Sequence, residues 1–147
     1  MAAGDALTGA SWEHEIRGYL LGTDTAWCID NATGWVGKTT KSADTDRTLG
    51  DGTVSGPDFR GARVIVLDMY CTLASDTAAF AAVVALEAAW AESATDIALH
   101  ATLPHRGHVY VNGRPRDLVI DDMRLSAWGR LDAQAVFYCP DPTITEV

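Results

Sequence analysis

The stretch from Thr39 to Cys71 reads TTKSADTDRTLGDGTVSGPDFRGARVIVLDMYC. Its first part, Thr39 to Asp46, is rich in Thr and Ser, and that composition suits a half-exposed strand better than a helix. Arg47 to Gly61 then carries Gly50, Asp51-Gly52, Gly56-Pro57 and Gly61. Asp-Gly is a strong turn pair, because glycine takes positive φ at no steric cost. Gly-Pro ends regular structure. The pattern predicts a loop of about fifteen residues without secondary structure of its own, a length that tends to be functional. Ala62 to Leu73 follows with apolar side chains on both faces, Val64, Val66 and Tyr70 on one and Ile65, Leu67, Met69 and Cys71 on the other. That predicts a central strand covered on both sides.

After this strand comes the one strong helix signal, Asp76 to Glu92. Ser75 is its candidate N-cap, and Asp76 places negative charge at the positive end of the helix. Eight alanines lie between Ala78 and Ala91, which gives high intrinsic propensity. Phe80, Val83, Leu86 and Trp90 recur at helical spacing and predict a buried stripe. Strands resume with Ile97 to Leu103, and Pro104-His105-Arg106-Gly107 reads as a turn. Val109-Tyr110-Val111 runs into Asn112-Gly113, the strongest short hairpin signal in the chain. Pro115 permits only an edge or a strand start. A return strand is predicted from about Asp117 to Trp128. After Gly129-Arg130, Leu131 to Tyr138 sets Leu131, Ala133, Ala135 and Phe137 on one face.

Upstream of the opening stretch, residues 1–11 are small and polar and read as a loose arm. Trp12 to Leu21 is the first ordered element, Ala26 to Asp30 a short strand, and Asn31 to Gly34 a turn. The sum is about seven strands and one helix, a mostly antiparallel β barrel or sandwich packed by a single helix. The organisation is one domain over 12–142, with 143–147 as a short tail.

A chain of 147 residues can bury a real core. Its formal net charge of -9 disfavours a phosphate-led grip on nucleic acid and attraction to anionic membrane. No apolar run approaches a membrane span. The first residues lack the basic start and apolar block of a secretory signal. Cys28, Cys71 and Cys139 stand singly and far apart, which predicts buried, reduced thiols.

The chain carries no recognisable catalytic motif. There is no GxSxG and no Cys beside a His. His105 and His108, with His100 close in sequence and Asp121 or Asp122 in reserve, fall short of a zinc set, and predict exposed imidazoles at a hairpin end. Asp44, Asp46 and Asp51 lack an EF-hand's terminal Glu. Gly50 to Gly56 is no P-loop. Asp121 and Asp122 are adjacent on a strand, point to opposite faces and cannot pair as glycosidase carboxylates. No cofactor is implied. The balance favours a binding or structural role over an enzyme.

The order of these features resembles a known family. Gly34-Trp35 is followed by a polar strand, then Arg47, then D-G-x-x-x-G at Asp51, Gly52 and Gly56. Arg63 enters the apolar strand, one helix follows, and V-x-V-x-G-R-P-R spans Val109 to Arg116 before the close on Phe137 to Pro142. Over residues 12–142 this set resembles the N-terminal domain of the distal tail protein (Dit) family of long, flexible-tailed bacteriophages. Its members are often described as minor tail proteins in phages of actinobacteria. The resemblance implies a tail-tube-like β barrel or sandwich with a flanking helix, and a non-enzymatic virion protein assembled in the host cytoplasm. It implies a homo-hexameric ring at the tail tip, stacked on the major tail tube protein above and the tail hub or baseplate protein below, with the tape measure passing through. By this analogy the long loop reaches a neighbouring subunit. The expected contact residues are Arg47, Leu49, Asp51, Gly52, Val54, Gly56 and Phe59, with Arg63 at the loop's end. In longer family members the Asp-Pro motif leads into a sugar-binding-like module; here five residues follow Pro142, so that module is not expected. The rival reading is a carbohydrate-binding β sandwich for host adhesion. It needs a row of exposed aromatics, for which Trp12, Trp27, Trp35 and Trp128 are candidates although most are expected to be buried.

Overall fold

The computed structural model describes residues 4–47, 49–72, 75–121 and 130–147. Leu73, Asp122, Trp128 and Gly129, and the side chains of Asp46 and Asp76, lie outside what is described. The chain opens with a tight hairpin, β1 (His14–Ile16) and β2 (Tyr19–Leu21), whose two turn residues Arg17 and Gly18 both take positive φ. That is the geometry that matches strand twist across a two-residue connection. β3 (Cys28–Thr33) follows, so Asn31 to Thr33 belong to a strand and the turn begins only at Gly34. Four short strands come next: β4 (Thr40–Ser42), β5 (Thr45–Asp46), β6 (Thr53–Val54) and β7 (Asp58–Arg60). Then come β8 (Arg63–Thr72), the helix α1 (Asp76–Ala89), β9 (Ile97–Leu103), β10 (Gly107–Asp121), β11 (Arg130–Cys139) and β12 (Thr145–Glu146).

Every described pairing is antiparallel, and the main sheet runs β2-β1-β9-β10-β11-β8-β3, with β12 on β10. Among the described residues β2 and β3 are the unjoined edges, so the path is an open sandwich rather than a closed barrel. Its hinge is β10. Residues 107–113 pair with β9, whereas Arg114 to Asp121 pair with β11, so one strand serves two sheets.

Asn112-Gly113, predicted to turn a hairpin, therefore lies inside a 15-residue strand. Gly113 is there for close approach, since a Cβ would overlap the carbonyl oxygen of Tyr138. The actual β9–β10 turn is at Pro104 to Gly107, closed by the Arg106 N–H donating to Leu103 O at 3.2 Å. The predicted return strand from Asp117 is the second half of β10. Pro115 sits within the strand at a bulge, where the register shifts between Pro115 and Leu118. Val136 of β11 lies opposite that bulge, and its carbonyl accepts the Trp90 indole N–H at 3.1 Å.

Both sheets give their inner faces to one core. Ile65, Leu67, Met69 and Cys71 of β8, and Leu131, Ala133, Ala135, Phe137 and Cys139 of β11, meet Ile16, Leu99, Val109 and Val111 of the other sheet. Burial raises the pKa of both core thiols, Cys139 up to about 12. β8 is covered on one side only. Its other face shows Val64, Val66, Asp68 and Tyr70 at partial or full exposure, with Gln134 donating to Asp68 and Arg130 lying 4.4 Å from the Tyr70 ring centre.

Ser75 caps α1 as expected, its Oγ accepting from the Ala78 N–H. The buried face differs from the predicted stripe: Ala79, Ala82, Leu86, Ala89 and Trp90 are inside, whereas Phe80 is 69% exposed. Small residues let the helix lie close enough for the buried Trp27 indole to donate to the Ala82 carbonyl at 3.1 Å. At the helix's end Arg17 Nη1 donates to the carbonyls of Ala88, Ala89 and Ala91, the nearest at 2.8 Å, supplying donors to the carbonyls of the last turn and of the residue just beyond it.

His14 is a fully buried polar group with both ring nitrogens engaged. Nδ1 lies 2.8 Å from the Trp12 carbonyl, and Trp35 Nε1–H donates to Nε2 at 3.0 Å. The indole N–H needs an acceptor, so the ring is neutral with its proton on Nδ1. Burial lowers the His14 pKa to about 4, against the smaller upward pull of the Trp12 carbonyl and the Glu13 charge.

Two outcomes are expected. Arg17→Met should cost about 1–2 kcal/mol in urea unfolding, and hydrogen exchange should speed up first at the C-terminal turn of α1; unchanged exchange there would contradict the capping role. A His folded neutral must gain a proton on acid unfolding. The His14 contribution is therefore full above its unfolded pKa near 6.5 and is lost as pH falls towards about 4, a change of about 3 kcal/mol. His14→Gln should remove that part of the slope in denaturation curves taken across this range, and an undiminished slope would assign it to other groups.

Candidate assembly surface

The segment predicted as an unstructured loop is a β-hairpin arm. β4 pairs with β7 (Thr40 opposite Arg60, Ser42 opposite Asp58), and β5 pairs with β6 (Thr45 opposite Val54). These ladders are separate from the main sheet. Gly61 N–H donates to Thr39 O at 2.6 Å at the root, and Arg47 N–H donates to Gly52 O at 3.1 Å near the tip. Between the two ladders the Asp44 carboxylate accepts the Gly56 N–H at 2.9 Å, filling the gap where backbone pairing lapses. The tip turns through Gly50 and Gly52, both at positive φ, so the Asp51-Gly52 turn falls where the sequence places it.

Seven of the expected contact residues share this arm. Arg47, Leu49, Asp51 and Gly52 form its tip, Val54 is in β6, Gly56 lies between the ladders and Phe59 is in β7. Leu49 is 94% exposed, Val54 56% and Phe59 57%. A monomer gains nothing from holding three large apolar side chains in water on a projecting hairpin.

Arg63 is placed differently, in β8 below the arm. Its guanidinium donates to the Gly34 carbonyl and, through Nε at 3.0 Å, to Pro142 O, tying the turn before the arm to the C-terminal segment. Burial lowers its pKa, and Arg60 and Arg106 push in the same direction. Lys38, Arg60 and Arg63 line a cleft at the arm's root together with Val36 and Pro142. Neither the pairing within the arm nor this basic root is expected from the sequence. The Thr-rich flanks on either side of Asp51-Gly52 were the available signal for a hairpin. The root joins residues from three distant segments and left no local trace.

The histidines are not all exposed as expected. His105 lies on the exposed turn, but His100 is buried and its Nδ1 is 2.8 Å from Nε2 of the half-buried His108. Gly4 of the N-terminal segment packs directly on this pair. Burial lowers the His100 pKa, with the Glu15 charge opposing and His108 reinforcing the shift. Among the described residues no group of three His, Cys, Asp or Glu side chains could hold a metal ion. Trp27 and Trp35 are core residues, as expected, and Trp12 is 36% exposed. The aromatic row that a sugar-binding face requires is not assembled among the described residues. No helix among the described residues is long and apolar enough to cross a membrane.

No family model matches the chain, and no curated protein matches it by sequence. Solved structures do. The chain superposes on the anti-feeding prophage cap, a tube-terminating cap, with a TM-score of 0.48 and 14% identity over 100% of this chain and 95% of that one. It superposes far better, with a TM-score of 0.74 and 18% identity over 94% of its length, on the Dit protein of phage SPP1, described as a paradigm of the hub adsorption apparatus in phages infecting Gram-positive bacteria. This chain covers 53% of that protein, about half its length. The chain has the fold of a phage distal tail protein.

Proposed function

We propose that this chain is a non-enzymatic structural component of a long, flexible phage tail. In this reading it forms a hexameric ring at the distal end of the tail tube, joins the tube to the hub and surrounds the channel for DNA and tape measure. Its place is the tail tip of the virion, and it is assembled in the host cytoplasm. The observation that carries the reading is the distal-tail-protein fold spanning nearly the whole chain. The arm supports it. A hairpin that leaves the main sheet and displays Leu49, Val54 and Phe59 is built to be covered by a partner. The ring partners are further copies of the chain; the axial partners are the major tail tube protein and the tail hub.

Replacing residues 43–57 by a two-residue turn should leave thermal unfolding of the body nearly unchanged, because the arm's ladders are independent of the main sheet. The same change should abolish rings in negative-stain images and reduce the solution mass to that of a monomer. A shortened chain that still assembles would remove the arm from the interface.

A further inference from the structure

The hairpin arm is electrically polarised along its length. Its outer part, residues 44–57, carries three aspartates, Asp44, Asp46 and Asp51, and one arginine, Arg47. At the root the balance inverts. Four of the chain's eleven Lys and Arg residues, Lys38, Arg60, Arg63 and Arg106, line two adjoining depressions there. Two acidic groups nearby are already engaged: Glu146 pairs with Arg106 at 3.4 Å, and Asp141 accepts from the N–H and hydroxyl of Thr143. Among the described residues Lys38 and Arg60 have no salt-bridge partner, and neither does Asp51 at the tip; Asp58, opposite Ser42 in the root ladder, is one carboxylate against these four cations and Lys41 and leaves the root positive. On a body of net charge -9, such a concentration of cations attracts carboxylates.

A single hairpin cannot bring its own tip to its own root. From Thr39 to Arg47 its strand reaches about 25 Å at the rise of an extended chain. A domain of this length has a radius of gyration of about 15 Å, so the arm is long enough to pass from one body onto the next. Like-charged guanidiniums crowded at the root favour an anionic occupant, and the chain itself offers one of the right chemistry and reach.

We propose that the basic cleft at the arm's root receives the acidic tip of the arm from a neighbouring copy of the same chain. This rests on the ring reading above and gives that ring its contact chemistry. Asp51 at the tip of one subunit's arm meets Lys38 and Arg60 of the next, while Leu49 and Val54 of the outer arm supply the apolar part of the same contact. The interface is heterologous, with a different patch on each side, which is the kind that closes into rings.

The test is a charge exchange, read by native mass spectrometry and sedimentation velocity at low and high salt, with circular dichroism to confirm folding. One variant carries Asp51→Lys, the other Lys38→Glu and Arg60→Glu. Each alone sets like charges against each other and should associate at least about tenfold more weakly than wild type. Mixed in equal amounts they should recover wild-type assembly, because alternating subunits pair Lys with Glu at one contact and Asp with Lys or Arg at the next. Wild-type assembly should also weaken as salt screens the exposed pairs. Variants that assemble as wild type, or a mixture that shows no recovery, overturn the charge pairing and leave the ring reading standing. A wild-type chain that stays monomeric at every concentration and salt overturns the ring reading, and the pairing with it.

Discussion

The fold turns on the passage of β10 from one sheet to the other. A strand that pairs with β9 over its first half and β11 over its second must bend where the partners change. The bend has three parts. Gly113 lets the backbone press against Tyr138, Pro115 gives up a ladder donor, and the bulge before Leu118 opens the pairing opposite Val136. An opened ladder inside a protein leaves a carbonyl without a partner, a cost of about 1–3 kcal/mol if nothing fills the gap. Trp90 fills it with its indole N–H, and the same ring packs edge-on against Phe137 at 6.1 Å. The residue that ends α1 thus repairs the defect that makes the sandwich possible. The helix in turn is held at that end by Arg17 of the first hairpin. Helix, hinge and first hairpin depend on one another through two side-chain hydrogen-bond donors.

That dependence explains which parts of the fold could be read from the chain. β8 and β11 were legible because alternation is a property of neighbouring residues; 65, 67, 69, 71 and 131, 133, 135, 137 point inward whatever the rest of the chain does. The one-sided cover of β8 was not legible. Val64, Val66 and Tyr70 are apolar enough to suggest burial, yet they form a partly wet face with Asp68, Gln134 and Arg130. Asn112-Gly113 misled for a related reason. The pair is the usual sequence of a tight turn, but glycine also serves where two backbones approach, and only the neighbouring strand decides between these uses. In the helix the large apolar residues suggested the buried stripe. Packing kept Leu86 and Trp90 of that stripe, set Ala79, Ala82 and Ala89 inside with them and left Phe80 in solvent; the small alanines let Trp27 reach the helix backbone.

The candidate surface was legible in position but not in form. Glycines and Asp-Gly located the excursion, and its apolar residues marked it as a surface to be covered. The strand pairing inside it escaped because each ladder is only two or three residues long. Arg63 was grouped with the loop because it follows it in sequence. In space it is a clasp that binds Gly34 and Pro142 and fixes the platform from which the arm departs.

The arm's construction argues for its use. A two-stranded hairpin with no sheet beside it is at best marginally stable in water. This one has two short ladders, a gap bridged by a single carboxylate, and little apolar cover of its own. Both of its long edges are open to further pairing, a liability that soluble proteins blunt or hide. Here charge serves as the blunting device, with Lys41, Asp58 and Arg60 set along the exposed strands. The body gains no stability from such an element, since its core closes without it. What the arm lacks, a surface for Leu49, Val54 and Phe59 and counter-charges for its aspartates, is what a neighbour's basic root and adjoining cleft can supply. In the proposed ring the arm's order and the subunit contact then form together. The energy of the contact must cover the cost of fixing the hairpin, which couples assembly to the folding of its last segment.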